Sequence, residues 1–372
     1  METLYPNLIL DALRTVRYPG NGKDIVELGM VEDDMCIDGN KVSFSLIFDK
    51  PTDPFIKSLV RAAETAILTH VSPEVDIKGN INVKTRAQVK AAVPERAVLP
   101  GVKNIIGISS GKGGVGKSTV ASNLAVALAR EGYKVGLLDA DIFGPSIPKM
   151  FGVEKEPLYI HKVEDRDLIL PVERYGVKLL SIGFVIDPDS AAVWRGSMAS
   201  NALKQLITDA DWGELDYFLI DMPPGTSDIH LTLVQTLAVT GVVIVSTPQQ
   251  VALADARKGI SMFTGEKVNV PVLGIVENMA WFTPERHPDE RYYIFGRDGA
   301  SDLAKELGIP LLAQIPVVGS ICEHADQGSP IALEDTITGQ AFMHLAHEVT
   351  DATDRRNNEL PATVKVNVGR KN

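Results

Sequence analysis

The chain has 372 residues, room for roughly two or three domains. Acids outnumber bases 48 to 37, the formal net charge is -11 and 45% of residues are hydrophobic; a disordered chain is excluded, and a general nucleic-acid binder, which carries a basic surplus, is disfavoured. The 2 cysteines, Cys36 and Cys322, exclude a disulfide framework and a four-cysteine metal site within one chain, and they fit a reducing compartment.

The first ten residues hold Glu2 and Pro6 but no basic stretch, so no signal peptide is expected. No apolar run nears ~18 residues, so no membrane span is expected and the protein reads as cytoplasmic. Residues 1–85 read as a small α+β domain. Leu8, Ile9, Ala12, Leu13 and Val16 recur at helical spacing, and Tyr18-Pro19-Gly20 stops that helix. Val42, Phe44, Leu46 and Phe48 alternate as a strand. Pro54 opens a helix with Phe55, Leu59, Ala62, Ala63, Ala66 and Ile67 on its apolar face. Val75, Ile77, Ile81 and Val83 predict a last strand or a hairpin around Gly79-Asn80.

Residues 86–102 read as a linker, broken by Pro94 and Pro100 and rich in basic side chains such as Arg86, Lys90 and Arg96; it is either a solvated tether or a basic contact surface. From residue 103 to 352 short apolar runs alternate with helical stretches. The runs are Ile105–Ser109, Val135–Asp139, Tyr217–Asp221, Val242–Ser246, Val272–Glu277 and Leu311–Ile315. The helices include Lys117–Arg130, Ile229–Leu237, Leu253–Phe263 and Gly299–Leu307. This pattern predicts an α/β fold, a mainly parallel sheet covered by helices on both faces. Residues 150–215, with candidate strands at Leu168–Pro171 and Val177–Ile182, read as an insertion on that domain. Residues 353–372 read as a polar tail; Asn357, Asn358 and Pro361 leave no apolar stripe for a membrane-binding helix.

Gly111-Lys112-Gly113-Gly114-Val115-Gly116-Lys117-Ser118 fits the Walker A pattern of a P-loop, between a predicted strand and a predicted helix. Glycines let successive N–H groups curl around an anion, and the helix N-terminus adds partial positive charge. Lys117 is expected at the β- and γ-phosphates and Ser118 on Mg2+, with Thr119 completing the nucleotide-binding run. Asp139 and Asp141 end the next strand, where carboxylates face the phosphate crevice. Asp139 is a candidate either for Mg2+ or for holding the loop. Asp221 ends an apolar strand as a Walker B acid does and is expected to hold Mg2+. Met222-Pro223-Pro224-Gly225-Thr226-Ser227-Asp228 reads as a stiff switch beside the γ-phosphate; helix capping accounts equally well for Ser227 and Asp228. No Asn-Lys-x-Asp run for guanine follows a late strand. Asn278, after the strand Val272–Val276, is a candidate reader of adenine, so ATP is favoured over GTP.

Lys112 resembles the signature lysine of the deviant Walker A ATPases, in which it reaches the nucleotide of a facing subunit; the resemblance implies a homodimer, with Lys112, Lys117 and the water-orienting Asp141 as catalytic residues. Together with Leu-Asp-Ala-Asp-Ile-Phe-Gly-Pro-Ser (138–146), Asp-Met-Pro-Pro-Gly-Thr-Ser-Asp (221–228) and Glu-Asn-Met (277–279), the chain resembles the Mrp/ApbC iron–sulfur cluster carrier ATPases over about residues 100–350. The N-terminal unit, through Leu28-Gly29-Met30-Val31 and Asp53-Pro54-Phe55, resembles the small iron–sulfur assembly domain often fused to them. The resemblance implies ATP-gated delivery of a 4Fe–4S cluster to apoprotein clients, alongside iron–sulfur assembly proteins and without nucleic acid or membrane.

The family often carries Cys-x-x-Cys after Glu-Asn-Met; Pro284 and His287 stand there in this chain, and Asp53 stands where the small domain often has a cysteine. Cys322 from two copies, with His287 or His324, is a candidate mixed N/S ligand set for iron–sulfur. An ordinary buried thiol is the plainer account of Cys322. Two other functions stay open: a nucleotide-switched adaptor that carries no cluster, and a spatial-regulator ATPase.

Overall fold

A strand that is apolar on both sides needs cover on both sides, and the computed structural model shows where that cover comes from. It describes residues 4–366 except 20–21, 33, 51–52, 86–97, 164–165, 186–195, 285–286 and 288–289. The chain forms two compact units, Met1–Arg96 and Ala97–Asn372.

In the first unit, β1 (Cys36–Asp38) lies antiparallel to β2 (Lys41–Phe48), and β2 lies parallel to β3 (Ile81–Thr85). Helices α1 (Pro6–Leu13) and α2 (Ile56–His70) complete it. The hairpin alternative around Gly79-Asn80 is not what forms. A parallel partner for β2 requires a crossover, and α2 supplies it, burying Leu59, Ala63, Ala66 and Ile67 with Phe44, Leu46 and Phe48. Asp53 Oδ1 accepts from the Phe55 amide at 2.8 Å, a turn that delays the helix start to Ile56.

The second unit is built on an eight-stranded sheet. Its strands are β4 (Val102–Ser109), β5 (Val135–Asp139), β8 (Val172–Arg174), β9 (Val177–Ser181), β10 (Leu215–Asp221), β11 (Gly241–Ser246), β12 (Val272–Phe282) and β13 (Leu311–Val317). The spatial order is β13-β12-β11-β4-β10-β5-β9-β8, all parallel except the β8–β9 pair. Side chains alternate between two cores. Ile106, Ile108, Leu137, Leu219, Val243 and Val245 face one; Ile105, Leu138, Phe218, Ile220, Val242 and Ile244 face the other. The first face is covered by α3 (Lys117–Arg130) and α10 (Ile337–Glu359). The second is covered by α5 (Gly196–Thr208), α6 (Asp228–Thr236), α7 (Gln250–Thr264) and α8 (Gly299–Leu307). Helix α4 (Ile147–Met150), the hairpin β6–β7 (Tyr159–Val163 and Arg166–Leu170) and α9 (Gly319–Asp326) complete the described elements.

Two boundaries differ from expectation. Residues 150–215 are not all insertion, because β9 pairs directly with β5 and extends the main sheet. Past Thr353 no described residue is buried, yet the chain stays helical to Glu359. Phe342, Leu345, Ala346, Val349, Ala352 and Thr353 recur at helical spacing and are buried, so α10 continues to Glu359. Burying the larger of these contributes roughly 1.5–3 kcal/mol each, which outweighs the modest helix propensities of Thr, Asn and Asp at its end. Beyond it, the Val366 amide donates to the Val234 carbonyl at 3.0 Å, so residues up to 366 stay attached to the body.

Candidate functional site

The glycine-rich segment fills the gap between the end of β4 at Ser109 and the start of α3 at Lys117. Gly114 and Gly116 hold φ of 80° and 81°, the left-handed region that a loop needs to turn its amides inward. The loop is also held from outside. A Cβ on Gly111 would lie 2.1 Å from the Asp255 backbone, and one on Gly116 would lie 2.2 Å from Asn278 Nδ2, so only glycine allows both approaches. The Gly225 amide donates to the Ser110 carbonyl at 2.8 Å and ties the 222–228 switch to the loop. The resulting cleft, about 220 Å3, is lined by Lys112, Gly113, Gly114, Gly116, Lys117, Ser118 and Thr119 together with Asp141, Ser146 and Pro224.

Three charged groups lie beneath it. The Lys117 ammonium pairs with Asp221 Oδ1 at 2.5 Å and donates to Ser118 Oγ at 3.3 Å. Lys117 and Asp221 are both buried. Asp221 Oδ2 is buried without a hydrogen-bond partner among the described residues. Asp139 is fully buried, and burial, with the nearby Asp221 charge adding, raises its pKa to about 7. Asp141 is half-buried at the cleft; burial raises its pKa while the Lys117 charge pulls it back.

The structure sorts the expected site residues. Lys112, Gly113, Gly114, Gly116, Lys117, Ser118, Thr119 and Asp141 meet at the cleft. Gly111 and Val115 hold the loop from behind rather than line it. Asp139 holds the loop, one of the two roles expected of it. Its Oδ2 accepts from the Ser146 amide at 3.1 Å, the Ile147 amide at 3.2 Å and Ser181 Oγ at 3.0 Å; its Oδ1 accepts from the Asp141 amide at 3.2 Å. Three of these four donors belong to the 141–147 loop, which Asp139 thereby fixes. Asn278 is buried, and its Nδ2 donates to the Val115 carbonyl at 2.8 Å, so it props the loop whatever else it does. Mg2+ takes hard oxygen donors, and the orphaned Asp221 Oδ2 with Ser118 Oγ fits that demand.

Among the described residues of one chain, no such fit is found for a cluster. Among the described residues, no three His, Cys, Asp or Glu side chains come together to hold a metal. Cys322 is exposed rather than buried, 3.7 Å from Asp326 Oδ2, so the plainer account of it as a buried thiol is corrected. It lies on the short α9, where too few apolar neighbours exist to bury it. His324 is two residues along the same helix, off the Cys322 face, with Nδ1 against the Ser329 carbonyl at 3.0 Å. His287 is exposed and paired with Glu290 at 3.2 Å. Sequence reasoning passed over His230, which is fully buried and meets the Ser227 amide at 3.1 Å. The signal was present as Ser227 followed by a hydrogen-bonding residue three positions on.

No helix among the described residues is long and apolar enough to cross a membrane. Comparison with known proteins agrees with the cleft. The iron–sulfur cluster carrier protein of Synechocystis sp. is 42% identical over 348 residues, covering 93% of this chain and 97% of that protein. A nucleotide-binding protein of Archaeoglobus fulgidus, solved in complex with ADP, is 40% identical with a TM-score of 0.55, over 64% of this chain and 91% of that one. The septum site-determining protein MinD of Pyrococcus horikoshii, solved with Mg-ADP, is 27% identical with a TM-score of 0.51, over 68% of this chain and 98% of that one. The family model for an iron–sulfur cluster assembly protein matches residues 7–78, and the model for the NUBPL iron-transfer P-loop NTPases matches residues 101–350. The chain belongs to the NUBPL iron-transfer P-loop NTPase family.

Proposed function

We propose that this protein is an ATP-hydrolysing iron–sulfur cluster carrier that works in the cytoplasm as a homodimer and passes its cargo to apoproteins. The observation that carries the nucleotide half is the convergence of the loop amides, the buried Lys117–Asp221 pair and Asp141 on one cleft. The cargo half rests on the family and on the Synechocystis relative that matches nearly the whole chain.

The residues present divide the work. The loop amides take the phosphates, and Lys117 leaves Asp221 to bond the β- and γ-phosphates. Ser118 and Asp221 would hold Mg2+, which supplies charge neutralisation on the phosphates. Asp141 orients the attacking water. No arginine lines the cleft among the described residues, so turnover is slow. Lys112 is exposed at the rim, with no ion-pair partner among the described residues, and reaches the nucleotide held by a second copy. Asn278 selects the base through Oδ1. With one Nδ2 hydrogen engaged by Val115, Oδ1 stays available as an acceptor, which suits the 6-amino group of adenine.

Cluster binding needs more ligands than one chain brings together among the described residues. In a homodimer, two Cys322 thiols with the imidazoles of His287 or His324 are the candidate donors for a 4Fe–4S cargo. Anaerobic reconstitution with iron and sulfide tests this. Cys322→Ala retains markedly less iron than the parent protein; equal retention in both removes Cys322 as a ligand. If neither retains iron, the chain acts instead as a nucleotide-switched adaptor, the reading favoured by the missing metal-ligand group among the described residues.

A further inference from the structure

The switch that follows β10 is anchored at two points. The first is the Gly225 amide on the Ser110 carbonyl. The second is at the start of α6, where His230 is the third residue of the helix and is fully buried. The Ser227 amide donates to His230 Nδ1 at 3.1 Å, and the His230 amide donates back to the Ser227 carbonyl at 3.0 Å. The first bond is the half of a capping box in which the third residue's side chain meets the cap amide, with an imidazole where Glu or Gln usually stands, and Ser227 Oγ also lies 3.2 Å from Nδ1. An amide N–H can be met only by a lone pair, so Nδ1 is unprotonated and the proton sits on Nε2.

The surroundings hold that state in place. Nε2 is buried and makes no hydrogen bond among the described residues. Burial, with the Lys117 charge adding, moves the imidazole pKa down to about 4, partly offset by the Ser227 and Pro223 backbone. The Phe263 ring packs at 6.1 Å. Residues 223–226 therefore hang between the phosphate loop and this imidazole, and Pro224 is the member that lines the cleft.

We propose that His230 is a positioning residue for the nucleotide switch: by accepting the Ser227 amide it fixes residues 223–226 over the phosphates, so it governs turnover and not nucleotide affinity. This rests on the reading of the cleft as an ATPase site. Among the described residues His230 makes no hydrogen bond to the glycine loop and does not line the cleft, so losing it leaves the phosphate cradle intact. What it removes is the order of the segment that must sit beside the terminal phosphate when the water attacks.

The test compares His230→Gln, which keeps an acceptor at this position, with His230→Leu, which keeps the volume and loses the acceptor. Single-turnover ATP hydrolysis, ATP affinity and the 15N shifts of the His230 ring are measured on the full chain. His230→Leu hydrolyses about tenfold more slowly, the scale of one lost cap, and His230→Gln stays within about threefold of the parent. Both keep ATP affinity within about threefold, and the parent ring shows an unprotonated Nδ1. Equal hydrolysis in His230→Leu and the parent, equal losses in both variants, or a protonated Nδ1 overturns the proposal. Should His230→Leu not fold, the Gln variant and the ring shifts still decide it. A parent protein that binds ATP without hydrolysing it refutes the ATPase reading instead, and the ring shifts then show separately whether His230 holds Ser227.

Discussion

Lys117→Ala loses tight ATP binding, by at least about a hundredfold, because two charge-assisted hydrogen bonds to phosphate are worth roughly 1.5–3 kcal/mol each. It also loses stability before any nucleotide is added. Lys117 is the cation paired with Asp221 at 2.5 Å, in a pocket that also buries Asp139. Removing one partner of a buried pair leaves the other uncompensated, at about 3–5 kcal/mol. Thermal unfolding of the nucleotide-free protein measures this. The double variant Lys117→Ala/Asp221→Asn recovers part of the lost stability, since it removes the stranded charge, but it does not recover ATP binding. A single variant as stable as the parent would mean that the pair does not hold the empty site together.

Asp141→Ala behaves in the opposite way. Asp141 lines the cleft and, among the described residues, makes no hydrogen bond to the glycine loop; the backbone at Phe143 and Gly144 favours its carboxylate, and Asp139 holds the rest of that segment. ATP affinity therefore stays within about threefold, while hydrolysis falls by about 10²–10⁴, the range for removing a residue that positions or activates the nucleophile. Equilibrium binding and single-turnover chemistry separate the two effects. Unchanged hydrolysis would take the water-orienting role away from Asp141.

How much of this was legible in the sequence follows from how local each signal is. The glycine loop is readable because turn chemistry, strand and helix are contiguous: Lys117–Arg130 begins and ends where its pattern says. The apolar runs of the central strands are readable because burial on both faces leaves no polar position within them. Strand Val177–Ser181 looked like part of an insertion because its partner, β5, is some forty positions away, and pairing across such a distance leaves no local mark. Asp139 and Asp141 look alike in sequence; only the four donors converging on Asp139 show that it is an anchor. The bond from Asn278 to Val115, which adds a loop-propping role to the base-reading one expected of it, arises from a contact 163 residues apart. The continuation of α10 past 352 was missed because its polar end masks a buried stripe that starts at Phe342. The exposure of Cys322 depends on what packs against α9, which no spacing rule reveals.

The central claim is that nucleotide and cluster occupy one protein and that the first governs the second. It is tested by reconstituting the full chain anaerobically with iron and sulfide, then mixing it with an apo cluster-dependent hydro-lyase whose activity reports cluster gain. The reconstituted protein is expected to show charge-transfer absorption in the visible range. Recovery of hydro-lyase activity is expected too, at a rate that changes when ATP is added, with no such change in Lys117→Ala. A reconstituted protein that binds ATP but shows no such absorption and restores no activity would contradict the claim.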